Sequence, residues 1–132
     1  MSMRETTGII ITNTRGEYLL QERDENVSRY KNMWCLFGGK KDGNEEPIAT
    51  ALRELQEEIG IVFSPDRLTY VGDFMITSPE EPERVYLFKT EIKDNEKIKL
   101  GEGAGYAFFS SKEKMLALPS PGWMKDIIRT YF

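Results

Sequence analysis

Apolar residues in this chain come in short runs divided by turn chemistry, with a single long stretch of helical periodicity near the middle. Ile9, Ile10 and Ile11, within Thr7 to Thr12, predict a first strand. The turn Asn13-Thr14-Arg15-Gly16 then leads into a second strand from Tyr18 to Gln21, a hairpin by its turn residues. Asp24 to Lys31 is polar and reads as loop. Trp34 to Phe37 is an apolar run ended by Gly38-Gly39, as expected of a buried strand that stops where the backbone bends tightly. Ile48, Leu52, Leu55 and Ile59 recur at helical spacing between Pro47, suited to a first turn, and Gly60, suited to a left-handed cap. Leu68 to Ile76 and Val85 to Ile92 predict two strands across the Pro- and Glu-rich turn Ser78 to Arg84, and Tyr106 to Phe109 predicts another. Ser110 with Glu113 matches a capping box for a short helix through Met115 and Leu116. Ser120-Pro121 opens a last helix that packs through Trp123, Ile127 and Tyr131. Strands with helices interleaved indicate α/β or α+β packing in layers.

The central helix carries Glu54, Glu57 and Glu58 apart from its apolar stripe. Residues three and four apart are neighbours on a helix, so these carboxylates face away from the core and repel one another by roughly 0.2–0.5 kcal/mol per pair. A hard divalent cation would offset that repulsion. So would a solvated face on which Arg53 pairs with Glu54 or Glu57, and an isolated E-x-x-E-E does not decide between the two.

The spacing beyond that cluster does. Gly39, Glu45, Arg53, Glu54, Leu55, Glu57, Glu58, Gly60 and Ile61 fill G-x5-E-x7-R-E-U-x-E-E-x-G-U without a mismatch, where U is a large apolar residue. This resembles the signature box of the Nudix (MutT-like) hydrolases. The resemblance implies one Nudix domain over residues 1–132, an α/β/α sandwich around a mixed, partly antiparallel sheet. It also implies Mg²⁺ or Mn²⁺ held by the backbone carbonyl of Gly39 with Glu54, Glu57 and Glu58, an assignment that agrees with the preference of Mg²⁺ for a few carboxylates plus water and substrate oxygens. In such enzymes the residue at Glu54 often accepts a proton, Arg53 orients the carboxylates, and Glu45 supports the loop. MutT-like enzymes often carry a further E-G pair some eight residues before a Ser-started helix, and Glu102-Gly103 before Ser110 fits, which makes Glu102 a catalytic candidate.

Composition narrows the chemistry. With 132 residues the chain has the size of one domain, and its net charge of −4, from 22 acidic against 18 basic residues, argues against stable binding to nucleic acid or an anionic membrane. No histidine is present, so Ser-His-Asp and Cys-His catalysis are excluded and carboxylates remain as acid-base groups. One cysteine, Cys35, allows no internal disulfide, and the absence of an apolar leader or span leads to the expectation of a soluble, cytoplasmic protein. Lys40 and Arg23 are candidates to meet substrate phosphates; Trp34, Phe37, Tyr86 and Phe88 could stack on a base or fill the core. Phe37 stands where the family commonly has Pro, and Ser120 near where enzymes that clear oxidised guanine place a base-reading Asn, which weakens a reading toward that substrate. The expected activity is a metal-dependent pyrophosphohydrolase that cleaves nucleoside triphosphates to monophosphate and pyrophosphate. A nucleotide-sugar or dinucleotide hydrolase with the same site, and a non-catalytic nucleotide sensor, are the alternatives. Oligomeric state, monomer or homodimer, is left open.

Overall fold

A computed structural model describes residues 3–27, 29–77, 82–101 and 103–132. Strands β1 (Arg4–Thr12), β2 (Tyr18–Glu22), β3 (Trp34–Cys35), β4 (Thr69–Ile76), β5 (Glu83–Glu91) and β6 (Gly105–Phe109) form one sheet. Helices α1 (Pro47–Ile59), α2 (Lys112–Leu116) and α3 (Gly122–Tyr131) pack on it, and a 3-10 turn, Pro65–Arg67, precedes β4. Among the described residues no helix is long and apolar enough to cross a membrane.

The first strand begins earlier than its apolar run. It pairs in parallel with β5 along its whole length, from Arg4 opposite Glu83 to Thr12 opposite Glu91, and this ladder buries the polar Thr6 and Thr7. The same pairing draws Glu83 and Arg84 out of the expected turn and into β5. β4 runs antiparallel to β5 with a bulge between Tyr70 and Gly72, so the sheet is mixed.

On the other side of β1 the sheet splits. β1 and β2 pair antiparallel at Ile11–Leu19 and Thr12–Tyr18. Farther along, Trp34 and Cys35 bridge Glu22 and Gln21 of β2, while Phe37 and Lys40 bridge Ile9 and Thr6 of β1. The regular strand therefore ends at Cys35, short of Phe37, because the chain crosses from one partner strand to the other. This crossing wedges the Gly38-Gly39 turn into the sheet. β6 covers the other edge of β2.

Alternation along the strands divides the core between two faces. Ile9, Ile11, Leu19 and Phe37 join Leu55 and Ile59 of α1 in one cluster. Ile10, Leu20, Leu36 and Leu87 join Met115, Met124, Ile127 and Ile128 of α2 and α3 in the other. Each such side chain contributes roughly 1.5–3 kcal/mol by leaving water. The result is a helix–sheet–helix sandwich with α1 on one face and α2 and α3 on the other.

α1 starts at Pro47 and stops at Gly60, whose φ of 72° is the left-handed cap conformation. Its last carbonyls are taken from outside, Ile59 by the Lys99 N–H (2.9 Å) and Glu58 by the Gly101 N–H (2.8 Å). The cap of α2 is Ser111 and not Ser110: the Ser111 Oγ accepts from the Lys114 N–H at 3.2 Å, a register shifted by one from the capping-box pattern. α3 has Pro121 at its cap, with Met124, Ile127 and Ile128 buried, while Trp123 and Tyr131 pack from the sides.

Candidate functional site

The wedge of the turn into the sheet brings the polar side of α1 against Gly38 and Gly39. The Glu58 Oε2 accepts from the Gly38 N–H at 3.1 Å. The Glu54 carboxylate lies where a Cβ at position 39 would be, so a side chain there would overlap it. Glu54 is consequently not solvated as its helical position predicts: its side chain is 13 % exposed, against 58 % for Glu57. Burial raises the Glu54 pKa above the ordinary carboxylate value; Arg53 opposes that rise and Glu57 adds to it.

Arg53 organises the acidic groups. Its Nε and Nη2 donate to the two Glu45 oxygens at 3.1 and 2.8 Å, its Nη1 to Glu54 at 3.0 Å and to Glu57 at 3.3 Å, and its Nη2 also to the Lys40 carbonyl at 3.0 Å. A planar guanidinium is suited to such a fork. The paired Arg53 holds the Glu45 carboxyl down to about 2, helped by the Asp42 N–H, and Glu45 in turn raises the arginine. Glu45 also accepts from the Thr50 hydroxyl at 2.9 Å, which ties the loop to the first turn of α1.

The Gly39 carbonyl accepts from the Thr7 N–H at 2.9 Å and the Thr7 hydroxyl at 3.4 Å, so it is engaged with β1. Among the described residues no three Cys, Asp or Glu groups form a ready-made metal cage. The site offers two carboxylates, Glu54 and Glu58, turned toward backbone. That donor set fits Mg²⁺ or Mn²⁺, hard ions that keep water and substrate oxygens in their shell and need only one or two protein carboxylates. Glu102 lies outside the described residues.

A cleft of about 110 Å³ opens beside the turn, and Arg23 and Lys40 line it with Gly38 and Gly39. Lys40 is exposed, while the Arg23 Nε donates to the Arg29 carbonyl at 3.1 Å. Of the four proposed stacking rings only Phe37 lines this cleft, and it is fully buried. Phe88 is core, Trp34 packs edge-on to Phe109, and the Tyr86 hydroxyl donates to Glu5 at 2.6 Å. Sequence reasoning missed Glu83, Arg29 and Tyr30, and read Trp123 as packing; all four line the cleft. A run of Pro and Glu around a strand start gives no local sign that one carboxylate turns inward. Cys35 also lines the cleft, with its thiol pushed up to about 11 by burial.

The family model described as NUDIX domain matches residues 3–131. No curated protein matches. Among solved structures, the MutT protein of Methanosarcina mazei Go1 is similar at 26 % identity and a TM-score of 0.82, covering 96 % of this chain and 91 % of that one. An Ap4A hydrolase of C. elegans, in a binary complex, shares the fold at 18 % identity and a TM-score of 0.75, over 96 % and 93 % of the two chains. The NUDIX domain of Shewanella oneidensis NrtR, complexed with ADP ribose, does so at 15 % identity and a TM-score of 0.76, over 98 % and 86 %.

Proposed function

Because this chain belongs to the NUDIX domain family, we propose that it is a divalent-metal-dependent pyrophosphohydrolase that cleaves nucleoside triphosphates to monophosphate and pyrophosphate by water attack. The observation that carries the reading is the convergence of Glu54 and Glu58 on the Gly38-Gly39 turn, with no room for a side chain at position 39. Glu54 and Glu58 would hold the ion, with Glu57 at the outer side and backbone of the glycine turn nearby. A bound Mg²⁺ or Mn²⁺ supplies charge neutralisation at the phosphoryl oxygens and a more acidic water.

The chain's own groups do the rest. Glu54, whose carboxylate is set against the glycine turn, is the proton acceptor for the attacking water. Arg53 keeps Glu54 and Glu57 in place from behind, anchored by Glu45. Lys40 and Arg23 meet the phosphates, and Glu102 assists as a further carboxylate. The occupant is a small nucleotide; stable binding to nucleic acid or membrane forms no part of the reading, nor does export from the cytoplasm.

The test is a hydrolysis screen over nucleoside triphosphates, nucleotide sugars, dinucleoside polyphosphates and ADP-ribose, with and without EDTA and with products identified. Triphosphates are expected to be turned over, and EDTA to abolish turnover. Turnover in metal-free buffer would sink the mechanism, and binding without any product would mark a sensor. Glu58→Gln should lower kcat by orders of magnitude and reduce the rise in Tm that Mg²⁺ gives the wild type, because binding to the native state stabilises it by mass action. Glu102→Gln should lower kcat about ten-fold with little change in stability.

A further inference from the structure

Threonine at position 50 is out of keeping with its place near the start of α1. It stands between Ala49 and Ala51, and a β-branched residue forms helix less readily than the alanines beside it. The residue is fully buried, so its hydroxyl must find a partner within the protein. A threonine inside a helix often turns its hydroxyl back to the carbonyl four residues earlier. Here that carbonyl, of Glu46, lies 3.4 Å away, and the hydroxyl instead donates at 2.9 Å to the Glu45 Oε1, one residue farther back. A bond to an ionised acceptor is the stronger of the two.

The same Glu45 oxygen accepts from the Asp42 N–H at 2.8 Å and from the Arg53 Nη2 at 2.8 Å, and Oε2 accepts from the Arg53 Nε at 3.1 Å. Thr50 and Arg53 are three residues apart on one side of the helix, so they grip the carboxylate together. Glu45 in turn fixes the plane of the guanidinium. Arg53 gives its Nε and Nη2 to Glu45, and its Nη1 to Glu54 at 3.0 Å and Glu57 at 3.3 Å. The group is rigid and planar, so a tilt at the first edge is carried to the second. Without the Thr50 hydroxyl, the helix holds Glu45 by Arg53 alone, about which the carboxylate can pivot. The arginine then no longer fixes where the two glutamates point.

We propose that Thr50 is a positioning residue for the hydrolysis: its buried hydroxyl sets Glu45, and through Arg53 sets Glu54 and Glu57, without touching metal or substrate. The inference rests on the pyrophosphohydrolase reading, in which Glu54 acts beside a bound ion. Removing a group that orients metal-site side chains from behind commonly costs about 10- to 100-fold in metal affinity or activity.

Thr50→Val keeps the branched shape and removes the hydroxyl, Thr50→Ala removes both, and Thr50→Ser keeps the hydroxyl alone. Assayed well below the lowest Tm, the Val and Ala variants should each lower kcat about ten-fold or more with KM for the triphosphate little changed. Each should also weaken the Kd for Mg²⁺ about ten-fold in calorimetric titration without substrate. Thr50→Ser should bring both readouts back close to wild type. A role confined to stability predicts instead that activity follows Tm across the three variants, whichever melts lowest, with Mg²⁺ affinity unmoved. That outcome, or wild-type kcat in Thr50→Val, overturns the inference and leaves the pyrophosphohydrolase reading in place. Weakened Mg²⁺ binding in the Val and Ala variants, rescued in Thr50→Ser, in a protein that hydrolyses no triphosphate would uphold the inference while that reading falls. A wild type that binds no Mg²⁺ overturns both.

Discussion

A methyl group at position 39 would meet the carboxyl end of the Glu54 side chain first, whereas one at 38 would strike the Thr7 carbonyl of the backbone, and one at 101 the Glu57 carbonyl. A side-chain end can swing aside and backbone cannot. Gly39→Ala should therefore leave Tm within a few degrees of wild type while kcat falls about ten-fold or more, because a displacement of the catalytic carboxylate by about 1 Å is enough. Gly38→Ala, with a φ of 148° as well as the collision, should cost more than about 2 kcal/mol in urea unfolding. Two adjacent glycines thus separate into one that serves activity and one that serves the fold, and equal losses of stability would contradict the separation. The sequence shows the loop-and-helix part of this site because its residues lie at fixed short intervals on one continuous segment. It hides Glu83, whose partner Thr6 is 77 positions away. Nothing local marks such a residue.

At the scale of elements, legibility follows from how much of each element's stability is local. α1 could be read at both ends, since Pro47 and Gly60 act through their own backbones. The start of α2 could not, because Ser110 and Ser111 are chemically alike and the choice depends on how β6 delivers the chain. Ser111→Ala should cost about 0.5–2 kcal/mol and Ser110→Ala close to nothing, as thermal or urea melts of the two would show. β1 begins at Arg4 and not at Thr7, and the pattern does not show it because those first residues are polar and the burial of Thr6 and Thr7 depends on β5 and on the Thr6–Glu83 hydrogen bond. Leu55→Ala, at a fully buried position under the glutamate helix, should destabilise by about 2–5 kcal/mol. Activity measured per folded molecule, well below the new Tm, should stay near wild type.

For the molecule as a whole, the sandwich was legible from alternation, while the parallel pairing at its centre was not, since no local pattern says which strands will meet. The ion pairs that join distant segments set the response to acid. Glu96 is held at about 2 by Arg67, which donates to both its oxygens, and Glu45 at about 2 by Arg53. A carboxyl whose folded pKa lies below its ordinary 4.5 stabilises the fold above pH 4.5, and that contribution is lost as pH falls toward 2. Glu54 acts with the opposite sign, its raised pKa making the acidified form the easier one to bury. Urea unfolding followed from pH 6 to pH 2 should show a net fall in stability starting near pH 4.5. Glu96→Gln should flatten it, by about 1 kcal/mol for this solvent-touched pair. An unchanged profile in the variant would show that the pair is inert.

The parallel ladder between residues 4–12 and 83–91 also has a temporal consequence. When the chain is synthesised from its amino terminus, β1, β2 and the whole of α1 emerge before the strand that completes the centre of the sheet. Closing so long a segment is entropically slow, and it precedes most of the gain from packing. Until β5 arrives the glutamate helix has β1, β2 and Phe37 to pack on, and β1 must wait with the edge that β5 will pair left open. The interval when this protein is most open to aggregation or proteolysis is that wait, and substitutions that strengthen β5 should shorten it more than any change made within the glutamate cluster.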